Sequence, residues 1–119
     1  MQFAANILVA AMAALQLGFM VLEMGFWTSP VMLGISNLPL QAATATKGVG
    51  ANQGLYNGFL AAGLIWGLLA AGGGFGIKLF FLCCMIVAGI FAWPTVSIRI
   101  FFAQACPAMV ALLFAWLAR

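Results

Sequence analysis

Ala51-Asn52-Gln53-Gly54-Leu55-Tyr56-Asn57-Gly58-Phe59-Leu60-Ala61-Ala62-Gly63 decides how this chain is to be read. Three carboxamides and a phenol fall within six residues of a sequence that is otherwise oily on both sides. Water would tolerate those groups anywhere, whereas hydrocarbon would not. A bilayer-spanning helix that carries Asn52, Gln53, Tyr56 and Asn57 must aim them at protein, trapped water or a ligand. At about 100° per residue, the four cover an arc of roughly 140° on one side of the helix. Gly50, Gly54 and Gly58 recur every fourth residue beside that arc, and such a stripe lets a neighbouring helix approach closely.

The surrounding composition sets the class. Of 119 residues, 67% are hydrophobic and 4% charged, with a mean hydropathy of +1.24. Soluble domains carry about 25% charged residues, so this chain could not cover a water-facing surface. The apolar runs are long and continuous, unlike the alternating segments of about ten residues in a transmembrane β-barrel. The expectation is an all-α polytopic membrane protein, with residues 1–119 forming a single transmembrane domain. The formal charge of +3 comes from five charged side chains and implies no nucleic-acid partner. Cys83, Cys84 and Cys106 form no CxxC pair, and there is no His; the reading assigns no metal and no cofactor, and treats the adjacent Cys83 and Cys84 as small packing residues. The N-terminus lacks a basic region and a small-residue cleavage site, so no removable signal peptide is expected.

Taken in order, the first span is expected at about 3–27. Gln16 and Glu23 are its strongly polar interruptions, seven residues apart and therefore on one face with Met20 between them. Phe26 and Trp27 suit an interfacial belt, and Thr28-Ser29-Pro30 breaks the helix. Val31 to Asn37 reads as a short re-entrant or interfacial segment. Ser36 or Asn37 is expected to cap a second helix with Pro39 in its first turn, starting near 39 and spanning the membrane at about 50–71. Gly72-Gly73-Gly74 is the clearest loop. The third span is placed at 77–93, ended by Trp93-Pro94, and the fourth at 97–118, with Pro107 as a potential kink. Short connections make an up-down-up-down four-helix transmembrane bundle the economical topology. Lys78 and Arg119 fall on one side and Lys47 and Arg99 on the other, so basic residues do not set the orientation.

The signature stretch, together with Leu22-Glu23-Met24, Trp27, Val87-Ala88-Gly89-Ile90, Gln104 and Pro107-Ala108, resembles a known family. It is similar to the small four-helix bacterial membrane proteins grouped as domain of unknown function 1304. The resemblance covers nearly the whole chain and implies a multi-pass protein of the cell inner membrane, with no established activity. Relatives often carry His where this chain has Gln16, and basic residues where it has Val31-Met32-Leu33.

Glu23 is the only acidic residue. One reading is a helix-end carboxylate in the headgroup region, solvated or paired with Lys47 or Arg99. The other is a carboxylate facing the bundle interior, which is where intramembrane acids become functional. For the amides, the bland reading is interhelical hydrogen-bond glue, but such bonds average only about 0.6 kcal/mol in membranes. Four polar groups in six residues exceed what glue requires. Antiparallel packing of the first two spans would bring Glu23 level with the amide arc. The ligand-binding set expected from the sequence is therefore Gln16, Glu23, Asn52, Gln53, Tyr56, Asn57 and Gln104. The function expected is binding or transport of a small amphipathic or lipid-like molecule in a polar intramembrane pocket. The alternatives are a small membrane enzyme acting on a lipid-like substrate, with Glu23 as acid/base and Tyr56 as proton donor, and a structural subunit of a membrane complex. Whether the protein is an enzyme is left open. The expected partners are the lipid bilayer, that ligand, and a second copy docking through the Gly50/Gly54/Gly58 face.

Overall fold

A computed structural model describes residues 1–119. The chain is all-α: α1 (Gln2–Gly25), α2 (Pro30–Ser36), α3 (Leu40–Ala45), α4 (Lys47–Leu69), α5 (Phe75–Thr95), α6 (Ile98–Ile100) and α7 (Cys106–Ala118). A π-helical segment, Phe101–Ala105, joins α6 to α7 so that Ile98–Ala118 runs as one helix. Three helical stretches, Gln2–Gly25, Ala71–Thr95 and Ile98–Ala118, are long and apolar enough to cross a membrane. Helix α4 matches them in length with 23 residues, but its first half holds the amides. The longest dimension, 48 Å, is comparable to the thickness of a bilayer with its headgroup regions, about 40–45 Å.

Local chemistry accounts for the breaks. After Gly25 the chain turns, and the Ser29 hydroxyl accepts the Met32 N–H at 3.3 Å with Pro30 in the first turn of α2. Asn37 closes α2 in the left-handed conformation, φ 61°. Ser36 and Asn37 thus end one helix instead of capping the next, and Pro39 is the N-cap of α3, outside its first turn. The single helix expected from residue 39 is broken at Thr46, which has φ −112° and ψ 20°. The Thr46 hydroxyl donates back to the Ala42 carbonyl at 2.8 Å and accepts the Trp27 indole N–H at 3.2 Å. Back-bonding of this kind bends helices, and the indole pins the bend to the end of α1. Gly72, Gly73 and Gly74 all have positive φ, forming the loop before α5. Helix α5 continues through Pro94 to Thr95, because a proline in the last turn removes only one ladder bond. The Ser97 hydroxyl then accepts the Arg99 N–H at 3.1 Å to open the last helix.

Glycines set the packing. A Cβ on Gly50 would overlap the Trp27 ring; one on Gly54 would meet Met24 Cγ at 2.8 Å and Glu23 Cβ at 3.0 Å; one on Gly58 would meet Met20 Sδ at 2.7 Å. Rising residue numbers on α4 thus meet falling ones on α1, so the two helices are antiparallel. The same reversal relates α4 to α5, where Gly63 faces Phe81 and Gly67 faces Lys78, and α5 to the last helix, where Gly89 faces Ala105. The glycine face expected to join two copies is filled by α1 of the same chain. A core of Val9, Met12, Ala13, Leu64, Leu82, Met85, Ala108 and Ala111 lies between these helices. Outward-facing positions are large and apolar, including Phe3, Leu69, Phe91 and Trp66. Apolar surface on that scale marks contact with a membrane or with protein.

Pro107 acts through the π-helical segment. Its nitrogen cannot donate to the Ala103 carbonyl, and just before it Cys106 N–H reaches back five residues to the Phe101 carbonyl. The extra residue in that turn helps set where Gln104 points.

Candidate functional site

Buried residues of α1 follow helical spacing: Ala5, Val9, Met12, Ala13, Gln16 and Glu23. Gln16 and Glu23 therefore occupy the core-facing stripe, at 0% and 2% exposure. On α4, Gly54 is buried against α1. At about 100° per residue, Asn57 and Gln53 flank the glycine stripe on one side, while Asn52 and Tyr56 lie some 160° from Gly54. Close packing of the glycines thus draws one edge of the polar arc inward and leaves the other edge outside.

The result is a carboxylate held by two amides. Gln53 Nε2 donates to Glu23 Oε2, and Asn57 Nδ2 donates to Glu23 Oε1. No lysine or arginine pairs with Glu23, contrary to the Lys47 or Arg99 partnership considered from the sequence. Arg99 is exposed and donates to the Gly34 carbonyl, and Lys47 is exposed. Deeper along α1, Gln16 Nε2 donates to Gln104 Oε1 at 3.2 Å, and Gln104 Nε2 donates to the Met85 carbonyl at 3.0 Å. Gln16 Oε1 is buried with no hydrogen-bond partner.

A cavity of about 340 Å³ opens beside this group. Its polar wall is Glu23, Gln53, Asn57, Gln104 and Thr95; its apolar wall includes Phe19, Met32, Ile35, Phe91, Val96 and Ile100. Helix α2 supplies Met32 and Ile35, so the short segment after α1 forms part of its wall. A hydrogen bond from Asn37 Nδ2 to Ser97 Oγ, at 3.5 Å, ties the end of α2 to the last helix.

Of the seven residues expected to form the site, Glu23, Gln53, Asn57 and Gln104 line this cavity, and Gln16 supports it through Gln104. Asn52 and Tyr56 do not. Asn52 is exposed, and Tyr56 is 57% exposed, its ring 6.0 Å from that of Phe59 on the outer face. Tyr56 thus lies outside the cavity that Glu23 lines. The apolar wall was not singled out from the sequence. Neither was Lys78, which is 2% exposed and donates to Asn6 Oδ1 at 2.8 Å near the other end of α1. The signal available for Lys78 was its position beside Ile77 and Leu79 in an apolar run; nothing in the sequence pairs it with Asn6.

A small all-α protein whose long helices are apolar outside and hold a polar, carboxylate-bearing cavity within is the class that fold and site define. Within that class, the model of a protein family of unknown function, DUF1304, matches residues 9–116, and the chain belongs to that family. No curated protein and no solved structure matches it.

Proposed function

We propose that the four long helices cross the bacterial inner membrane as an up-down-up-down bundle, α4 supplying the crossing that carries the amides. The cavity then binds or conducts a small amphipathic or lipid-like molecule. Its polar end sits at Glu23, Gln53 and Asn57, and its apolar part lies against Met32, Ile35 and Ile100. The observation that carries this reading is the coexistence, in one cavity of about 340 Å³, of a buried carboxylate and a mostly apolar wall. Small-molecule sites are typically concave, largely apolar and furnished with a few placed polar groups. The cavity speaks against a purely structural subunit, whose polar cluster would be dry and fully paired. The surrounding bilayer is the first partner this reading requires.

The test is native mass spectrometry of the protein released from membranes into a neutral detergent. A bound small-molecule mass is expected on the wild-type chain and lost in Ile100→Trp, which fills the cavity from its apolar wall. Equal occupancy in the two proteins, with the fold intact, would remove the cavity as the binding site.

A further inference from the structure

We infer that the molecule held in this cavity presents a protonated amine to Glu23, an inference that rests on the binding reading above and specifies its ligand class. Glu23 is the one acidic side chain in the sequence, and its two oxygens accept hydrogen bonds from neutral amides. The two amide donors occupy two of a carboxylate's roughly four acceptor sites without supplying a countercharge. In low-dielectric surroundings an unpaired charge is far more costly than an unpaired dipole. Every cation of the chain is placed elsewhere. Lys78 is bound to Asn6, seventeen residues away along α1; Arg99 is bound to the Gly34 carbonyl; Lys47 and Arg119 are exposed, Arg119 lying over the Trp116 ring at 4.2 Å. The chain offers Glu23 no countercharge, and a cationic occupant would supply one.

The hydrogen-bonding capacity points the same way. Because Gln53 and Asn57 turn their NH₂ groups to Glu23, their carbonyl oxygens remain as acceptors beside a carboxylate that still has free lone pairs. An ammonium group carries three donors and no acceptor, the complement of that set. An anionic head would meet Glu23 as a like charge. Phe19 adds an aromatic ring to the same cavity, and ring faces attract cations. The apolar wall sets the remainder of the ligand as an alkyl or aryl body.

The probes are octylamine, octanol and octanoate, titrated against the full chain in neutral detergent micelles, with binding read by native mass spectrometry and calorimetry. Octylamine is expected to bind at least about tenfold more tightly than octanol, a factor worth about 1.4 kcal/mol, with octanoate weakest. Glu23→Gln, which keeps the side-chain volume, is expected to bring octylamine and octanol to within about twofold of each other while leaving octanol binding in place. Equal wild-type affinities for octylamine and octanol would overturn the amine inference and leave the cavity reading standing. Binding of none of the three would overturn both. If Glu23→Gln does not fold, the wild-type ranking decides alone, and Ile100→Trp is expected to weaken amine and alcohol together.

Discussion

Gln16 Nε2 donates to Gln104 Oε1 at 3.2 Å, joining the first and last long helices through two side chains that are 0% and 5% exposed. The pair sits beneath the cavity, and Gln104 continues to the Met85 carbonyl, so one chain of amides ties α1, α5 and the last helix together. A double-mutant cycle with Gln16→Leu and Gln104→Leu should give a coupling of about 0.6 kcal/mol, the average for interhelical hydrogen bonds in membranes, and no more than about 1.7 kcal/mol, their maximum. Reversible unfolding in mixed detergent would measure it. Coupling indistinguishable from zero would mean that the amides merely coexist.

The tight approach of α4 to α1 makes its own prediction. Gly54→Leu has to displace Met24 Cγ, Glu23 Cβ and the Met20 carbonyl, all within 3.1 Å of an added Cβ. Overpacking of this kind costs about 1–3 kcal/mol or more. Leu55→Ala, at a position 42% exposed, should cost much less. Equal melting temperatures for the two variants would contradict the packing described.

Labelling should divide the amide stretch in two. In a background with Cys83, Cys84 and Cys106 replaced, nitroxide spin labels on Asn52→Cys and Tyr56→Cys should collide readily with oxygen, a relaxant soluble in both water and hydrocarbon. A label on Asn57→Cys, which faces Glu23 in the structure, should show a markedly lower collision rate because the packed site has to open to admit oxygen. Uniform rates across these positions would refute the rotational setting of α4.

At the opposite end, Lys78 offers an asymmetric pair of substitutions. Its stem packs where Gly67 lacks a side chain, with Cγ 2.8 Å from a would-be Cβ, and its ammonium rests on Asn6. Asn6→Leu leaves that buried group without its acceptor and should cost about 1–3 kcal/mol. Lys78→Met keeps the stem, deletes the charge and should be close to neutral. Thermal unfolding compares them, and a larger loss in Lys78→Met would reverse the argument.

What could be read from the sequence and what could not have distinct physical causes. The helical class, the Gly72–Gly74 loop, the Ser97 start and the inward stripe of Gln16 and Glu23 follow from hydropathy, turn chemistry and helical period, all of them local. That Gln53 and Asn57 reach Glu23 while Asn52 and Tyr56 do not depends on the rotation of α4 about its axis. Gly50, Gly54 and Gly58 set that rotation by admitting α1, and the sequence contained the stripe without naming its partner. The break at Thr46 was hidden for a similar reason: threonine is tolerated within helices, and only the Trp27 indole, 19 residues earlier, fixes the bend. The apolar half of the cavity was illegible because Met32 and Ile35 of α2 and Ile100 of the last helix look like any other apolar side chains until the fold brings those helices beside Glu23.

Glu23 and Lys78 are the two buried charged side chains, and they sit at opposite ends of the molecule. Lys78 is anchored at Asn6, so along α1 the two lie about 25 Å apart, most of the roughly 30 Å hydrocarbon thickness. Were α1 to cross a membrane with both groups ionised, the pair would set a fixed dipole axis along the crossing. One elementary charge crossing a 100 mV potential is worth about 2.3 kcal/mol, so turning this axis end for end changes the energy by about 4 kcal/mol. Lys47 and Arg99 balance Lys78 and Arg119 in the loops and helix ends, but an energised membrane would still distinguish the chain's two orientations.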